Sequence, residues 1–121
     1  MLSAEVDPPR GLSAEAGLRA GRAFMFQTVQ DVWDRVVAGH KIGQRDRALL
    51  RLSACHATSA SAQAIDLMYQ AAGTAAIWDT SPLQRHFRDV HVLSQHAVIA
   101  PPISEVAGKI LLGVETTFPM L

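Results

Sequence analysis

Residues 66–96 read DLMYQAAGTAAIWDTSPLQRHFRDVHVLSQH, and this stretch joins two predicted helices through a short turn. Gly73 ends the helical spacing of the alanine-rich segment before it. The DTSP sequence at residues 79–82 is a helix-start signal, with Ser81 as the cap and Pro82 at the first helical position. A cluster of polar side chains follows on the new helix: Arg85, Arg88, Asp89, His91 and His96. We therefore expect a polar cluster where two helices meet.

Two further helices are predicted before this stretch. Apolar residues recur at intervals of three and four from residue 14 to about residue 37, and again from residue 45 to about residue 72. Ser13 is expected to cap the first of these helices, while Gly39 and Gly43 border the loop that follows it. The small residues of the second helix should let neighbouring helices approach it closely.

The residues after the polar cluster predict one more helix. The helix that begins at Pro82 should end near residue 98, before the two prolines at 101–102, because proline cannot donate a backbone hydrogen bond. A shorter helix should run from residue 104 to about residue 112 and close at Gly113. No segment alternates apolar and polar residues as a half-buried strand does. We therefore predict an all-α protein that forms an up-and-down four-helix bundle.

The length of the chain predicts a single folded domain. Its 121 residues are enough for one hydrophobic core. Two prolines and a glycine near the N-terminus disfavour regular structure, so we assign residues 1–12 to a flexible lead-in. Residues 13–113 are then the helical bundle domain, and residues 114–121 are a C-terminal tail.

The composition argues against several classes of partner. Apolar residues make up 49% of the chain, charged residues make up 18%, and the formal net charge is zero. Neither a nucleic acid nor an anionic membrane surface is therefore an expected partner. No run approaches the roughly 20 apolar residues that a membrane helix needs. The single Cys55 and the lack of a visible signal segment predict a cytoplasmic protein.

The spacing of the histidines and the cysteine gives no catalytic or metal-binding pattern. His86, His91 and His96 are five residues apart, so each steps about 140° around a helix and the three do not share a face. No metal site is therefore predicted. Cys55 and His56 point about 100° apart on a helix, which argues against a nucleophile and base pair.

The charged residues of the cluster have a simple alternative explanation. Arg85 and Asp89 are i,i+4 partners, and together with Arg88 they could form a surface ion-pair network of little energetic value. Trp33 and Trp78 are expected to be packing residues. From the residues alone, structural roles account for most of the cluster.

The segment AIDLMYQAAGTAAIWDTSPLQRHFRDVHVLSQH, residues 64–96, resembles the C-terminal helical domain of the acyl-CoA dehydrogenase superfamily. More narrowly, it is similar to the flavin-dependent monooxygenase branch, which includes the oxygenase components of two-component aromatic hydroxylases and the dibenzothiophene-type sulfur oxygenases. The resemblance extends over residues 13–113. Its most specific part is PLQRHFRD at residues 82–89, followed by His96.

The resemblance implies a contact with a flavin, either FMN or FAD. In the family pattern Q-x-x-G-G-x-G, Gln70 stands at the glutamine and Gly73 at the first glycine, where the family contacts a flavin nucleotide held by a neighbouring subunit. An amide can bridge polar groups, and a glycine lets the backbone approach a phosphate closely. Thr74 and Ala76 replace the second and third glycines, which implies an altered cofactor contact.

The same alignment with the family pattern implies which residue acts on the substrate. The position where one large subgroup of dehydrogenases carries its proton-abstracting glutamate is Ala97, which cannot remove a proton. Resemblance to the monooxygenases instead implies that His96 is the catalytic residue, which orients a substrate hydroxyl and assists oxygen transfer. Imidazole suits this task because it can donate or accept a hydrogen bond near neutral pH. His91 is a second substrate-binding candidate, with a structural or interfacial role as the alternative. Three charged residues are implied to brace helix packing and a subunit interface: Arg85, Arg88 and Asp89.

Two functional hypotheses follow. In the first, the chain is the C-terminal domain of a flavin-dependent monooxygenase, present as a fragment or a truncated form and inactive alone. It would then need an N-terminal helical domain, a middle β-domain and a flavin reductase, and it would assemble as a dimer or tetramer. In the second, the chain is a standalone helical oligomerisation or interaction module without catalytic activity.

Overall fold

The computed structural model describes residues 8–78, 80–96, 99 and 101–116, with side chains from residue 10 onward. It contains four α-helices, α1 (Pro8–Val37), α2 (Gln44–Ala72), α3 (Pro82–Leu93) and α4 (Pro101–Leu111), and a 3₁₀ turn (Gly73–Ile77) between α2 and α3. No strand occurs in the described part of the chain. The all-α prediction with four helices is therefore confirmed.

α2 is the central helix of the arrangement. α1, α3 and α4 each pack against α2, and the 3₁₀ turn packs against α2 and α3. Within the described ranges, α1, α3 and α4 do not bring their Cα atoms within 8 Å of one another. The positions of the three outer helices are therefore set chiefly by their contacts with α2.

Small side chains allow α2 to hold this central position. Five of its small residues are buried: Ala48, Ser53, Cys55, Ala60 and Ala64. The buried hydroxyl of Ser53 donates a hydrogen bond to the carbonyl of Leu50 at 2.9 Å, so its polar atom is not left without a partner. Because short side chains add little thickness to the helix, neighbouring backbones can come close, as the sequence predicts.

α1 makes a close approach to α2 at Gly21, which is buried. A Cβ atom placed on Gly21 would lie 3.3 Å from the Cα of Ala57 and 3.3 Å from the Cβ of Ala60. Thr28 and Val32 are buried further along α1. The absence of a side chain at residue 21 is therefore what lets the two long helices pack this closely.

The connection between α1 and α2 is held by Asp46. Gly39 closes α1 with a φ angle of 91°, in agreement with the predicted cap. The carboxylate of Asp46 accepts a hydrogen bond from the backbone N–H of Gly43 at 3.1 Å and lies 3.5 Å from the guanidinium of Arg35. Asp46 thus caps the start of α2 and links it to the end of α1.

The start of α1 differs from the prediction. The helix begins at Pro8 rather than at the expected cap Ser13, so residues 8–12 are helical and not a flexible lead-in. Proline is tolerated in the first turn because the first backbone N–H groups of a helix have no intrahelical acceptor. Residues 1–7 of the expected lead-in and residues 117–121 of the expected tail lie outside the described residues.

The end of α3 also comes earlier than predicted, at Leu93 instead of near residue 98. The hydroxyl of Ser94 donates a hydrogen bond to the carbonyl of His91 at 2.7 Å. The backbone N–H of His96 donates to the carbonyl of Leu93 at 2.9 Å, which tightens the chain into a turn. These local bonds compete with continuation of the helix.

α4 begins at Pro101, earlier than the predicted start near Ser104. The two prolines at 101–102 occupy the first turn of the helix, where their missing N–H groups cost nothing. Ile103 and Ala107 are completely or almost completely buried and anchor the helix. Gly113 follows the helix with a φ angle of 77°, in agreement with the predicted closing glycine.

Substitution of Gly21 tests the close packing of α1 on α2. We expect Gly21→Val to lower the free energy of unfolding by about 1–3 kcal/mol, because the added atoms meet backbone and side-chain atoms of α2. Chemical denaturation followed by circular dichroism measures this change. The matched control is Gly17→Val on the same helix, where a Cβ atom meets nothing within 4 Å. Equal stabilities of the two variants would contradict the close approach at Gly21.

Candidate functional site

α3 lies on the surface of α2 and begins where the sequence predicts. Ser81 precedes the helix in an extended conformation, and Pro82 is the first helical residue. The side-chain amide of Gln84 donates a hydrogen bond to the carbonyl of Ile77, which ties the first turn of α3 to the 3₁₀ turn. None of the 12 residues of α3 is buried. Much of the helix circumference therefore faces outward.

A seam of ring contacts and one hydrogen bond joins α3 to α2. The ring centroids of Tyr69 and Phe87 are 4.7 Å apart, and those of Phe87 and His91 are 4.5 Å apart. Nε2 of His91 lies 2.8 Å from Oδ1 of Asp66. A carboxylate only accepts hydrogen bonds, so Nε2 of His91 carries the donated proton.

The contact with Asp66 bears on the predicted role of His91. Nε2 of His91 is hydrogen-bonded to Asp66, and the imidazole ring packs against the ring of Phe87. These contacts support the structural alternative for His91, and its substrate-binding role stays a prediction. Sequence reasoning missed Asp66, because the pairing of two residues 25 positions apart depends on the geometry of the turn between the helices.

His96 lies in the turn after α3 and is exposed. It lines an open groove of about 650 Å³ along the last turns of the helix. The other lining residues are Arg88, Asp89, Val92, Leu93 and Gln95. The structure thus brings Arg88, Asp89 and His96 together on one concave surface, which we call the His96 groove. Ala97 lies outside the described residues.

A second groove of about 400 Å³ lies between α1, α2 and α3 and was not anticipated from the sequence. Most of its lining is apolar, with His86, Asp89 and Ser61 as polar members. The apolar lining residues are Leu18, Ala64, Ile65, Met68, Val90 and Leu93. Asp89 and Leu93 also line the His96 groove, so the two grooves adjoin along α3.

The predicted ion-pair network on α3 is not formed. Arg85, Arg88 and Asp89 are all exposed. None of the three makes a side-chain ion pair or hydrogen bond in the described structure, and Arg85 does not pair with Asp89 one turn away. Surface ion pairing within this chain therefore does not explain why α3 carries these three charges.

The predicted cofactor residues, Gln70 and Gly73, lie at the end of α2. Both are exposed. Gly73 has a φ angle of 56°, and a Cβ atom there would meet nothing within 4 Å, so the backbone angle rather than crowding favours glycine. Its N–H donates to the carbonyl of Gln70 and is therefore used within the chain. The open space beside Gly73 and the exposed amide of Gln70 fit an approach by a ligand from outside.

The two positions that lack the family glycines differ in their surroundings. Thr74 is exposed, whereas Ala76 is completely buried. A residue that packs into the protein at position 76 cannot meet a cofactor at the surface. The altered cofactor contact that the resemblance implies stays a prediction.

The structure does not bring Gln70 and Gly73 next to His96. The contacts Asp66–His91 and Tyr69–Phe87 show that α2 and α3 run antiparallel. Gln70 therefore lies near the middle of α3, while His96 lies beyond its end. From the level of Gln70, near His86, the rise along α3 to its last residue Leu93 is roughly 10 Å, and His96 lies beyond that end.

The described ranges contain neither a metal-binding cluster nor a membrane-spanning helix. No group of three or more histidine, cysteine, aspartate or glutamate side chains there could hold a metal ion. The three histidines near α3 instead have separate surroundings: His86 in the second groove, His91 against Asp66, and His96 in its own groove. No helix there is both long and apolar enough to cross a membrane.

Comparison with known proteins identifies the family. Residues 13–101 match the family described as "Acyl-CoA dehydrogenase, C-terminal domain". The chain is 34% identical over 100 residues to indole-3-acetate monooxygenase from Pseudomonas putida, an overlap that covers 83% of this chain and 26% of that protein. It is also 34% identical over 88 residues to the flavin-dependent monooxygenase, oxygenase subunit HsaA, from Mycobacterium tuberculosis, covering 73% of this chain and 22% of the relative.

A solved structure gives the same result for the fold. The crystal structure of the HsaA monooxygenase from M. tuberculosis superposes with a TM-score of 0.86 at 27% identity, covering 99% of this chain and 32% of that one. The chain spans about a quarter of the length of the curated relatives named above. The resemblance inferred from the sequence is thus confirmed. The chain belongs to the acyl-CoA dehydrogenase C-terminal domain family, in the branch of the flavin-dependent monooxygenases.

Proposed function

We propose that this chain acts as the C-terminal domain of a flavin-dependent monooxygenase that hydroxylates an aromatic compound. The observation that carries the proposal is the His96 groove, where an imidazole, a guanidinium and apolar side chains share one open concave surface. The name of the P. putida relative supports the substrate class, since indole-3-acetate is an aromatic compound.

In this proposal His96 positions the substrate. Val92 and Leu93 are 68% and 50% exposed and provide an apolar wall for an aromatic ring. The imidazole of His96 would accept or donate a hydrogen bond to a polar substituent of that ring and hold or release its proton. A bound reduced flavin would supply the electrons that activate molecular oxygen, and molecular oxygen would supply the transferred atom.

Gln70 and the backbone at Gly73 are proposed to contact the flavin nucleotide. Their exposure and the open space beside Gly73 support this role. Gln70 lies roughly 10 Å along α3 from Leu93, and His96 lies beyond that residue. This separation supports contact with a flavin held by a neighbouring subunit rather than the one served by His96. The side-chain amide of Gln70 would hydrogen-bond to the flavin nucleotide. The backbone at Gly73 would let the nucleotide come close, although the N–H of Gly73 is already bonded to Gln70.

The remaining walls of the active site are proposed to come from other domains. The His96 groove is broad and open, and the chain covers only about a quarter of its relatives. An N-terminal helical domain and a middle β-domain would enclose the groove, and a flavin reductase would deliver the reduced cofactor. We expect the 121-residue chain alone to show no turnover.

Self-association is proposed to occur through a stripe on α1 that faces away from α2. The outer α1 stripe consists of Phe26, Val29, Trp33 and Val36, at spacings of three, four and three residues. Their exposed fractions are 56%, 50%, 63% and 40%. This spacing is that of a helix–helix packing seam, and exposed apolar surface of this extent is unfavourable in a monomer. A dimer or tetramer of this chain would cover it, with the unpaired charges of α3 as a second proposed interface element.

The outer α1 stripe also favours a second candidate function. A standalone helical oligomerisation module would need this surface and not the His96 groove. Titration of the 121-residue chain with reduced flavin separates the two functions. Saturable binding that weakens in Gln70→Ala supports the monooxygenase domain, whereas self-association without any flavin binding supports the module.

The role of His96 can be tested in a chimera. Residues 13–113 would replace the corresponding C-terminal segment of P. putida indole-3-acetate monooxygenase. We expect His96→Ala to lower product formation by about 100-fold or more, because the group that orients the substrate is lost. Product and released hydrogen peroxide would both be measured, and the peroxide share should rise. The control is His40→Ala, an exposed residue in the connection between α1 and α2. An unchanged rate in His96→Ala would contradict the proposed role.

The outer α1 stripe can be tested with the 121-residue chain. We expect Trp33→Asp to shift the mass measured by light scattering towards that of the monomer, because a buried charge opposes an apolar interface. Leu112→Asp is the control, since Leu112 is 83% exposed and lies outside the stripe. A wild-type chain that stays monomeric at high concentration would exclude the proposed interface.

A further inference from the structure

α3 is the least deeply anchored of the four helices in the described part of the chain. α1, α2 and α4 each bury at least two side chains, including Val32, Ala60 and Ile103, whereas α3 buries none. Partly buried contacts along the seam therefore hold α3 on α2.

Three specific side-chain contacts of α3 are spread along its length in the described structure. Gln84 bonds to Ile77 at the first turn, and Phe87 meets Tyr69 in the middle. The bond between His91 and Asp66 lies at the last turn. It is the one side-chain hydrogen bond between α2 and α3 among the described residues, and it lies nearest to His96 along the helix.

Hydrogen bonds tie the turn that carries His96 to the last turn of α3, which carries His91. The hydroxyl of Ser94 donates to the carbonyl of His91 at 2.7 Å, and the N–H of Ser94 donates to the carbonyl of Val90 at 3.0 Å. The N–H of His96 then donates to the carbonyl of Leu93 at 2.9 Å. A displacement of the His91 turn would therefore be transmitted to the turn that carries His96.

We propose that Asp66 is a positioning residue that sets the place of His96 through His91. The carboxylate of Asp66 fixes the imidazole of His91 on α2, and the bonded turn that follows carries His96 into its groove. Asp66 does not line that groove and does not itself meet the proposed substrate. The inference rests on the proposed function and deepens it, because it names Asp66 as the residue that holds His96 in position.

The test compares Asp66→Ala and Asp66→Asn in the 121-residue chain by NMR. We expect the imidazole signals of His96 and the amide signals of residues 92–96 to shift and broaden in Asp66→Ala. Signals of the 3₁₀ turn and α4 should not change. Asparagine keeps the shape and can still accept a hydrogen bond, so Asp66→Asn should restore most of the wild-type signals.

Thermal unfolding distinguishes positioning from a purely structural role. The side chains of Asp66 and His91 are 42% and 40% exposed, so loss of the pair should lower Tm by less than about 5 °C. Asp31→Asn is the control for loss of a carboxylate, because Asp31 is exposed and bonded to Gln27 within α1. We expect it to leave the His96 signals unchanged.

Two results would overturn the proposal. In the first, the signals of His91 report loss of the bond in Asp66→Ala while those of His96 stay in place. In the second, signals change throughout the chain and unfolding loses its cooperativity in both variants, which would make Asp66 a general stabilising residue. Neither result depends on flavin or on turnover. The catalytic role of His96 is tested separately, by the His96→Ala variant of the chimera.

Discussion

The fold depends on how closely three helices can pack around α2. Apart from Asp46 near its start, alanine, serine and cysteine occupy the buried positions of this helix, and a Cβ atom on Gly21 of α1 would lie only 3.3 Å from its atoms. Larger residues would push the neighbouring axes apart and open voids, because protein interiors tolerate little change in packed volume. α2 therefore acts as a common reference for the other helices. α3, which carries most of the candidate site, packs on the surface of α2.

Local signals in the sequence were enough to predict the helices and several of their ends. The glycines at 39, 73 and 113 all adopt positive φ angles, and Pro82 begins α3 as its position after Ser81 predicts. The predicted starts of α1 and α4 were wrong, because prolines lie in the first turn of each helix. Proline is compatible both with the end of one helix and with the first turn of the next, so Pro101 alone does not decide between them. Ser13 has a capping side chain, but it lies inside a helix that begins at Pro8.

The candidate site was predictable only in part, because some of its residues are brought together by the packing of two helices and not by their spacing in the sequence. Arg88, Asp89 and His96 are close in sequence, so a single helix and its final turn bring them together. The pair of Asp66 and His91 depends on the register between two helices, which is fixed by the shape of the 3₁₀ turn and not by spacing. Helical periodicity likewise cannot give the separation of Gln70 from His96 across that register. The burial of Ala76 is likewise visible only in three dimensions.

The shallow seating of α3 has a consequence for local stability. Segments with few buried contacts open at a lower free energy than the global unfolding transition, and they do so while the rest of the molecule stays folded. α3 has no buried side chain, whereas α2 is covered by three partners. Its backbone amides should therefore exchange with solvent well before those of α2. We expect the helix that bears the groove to open locally while the helices beneath it stay folded.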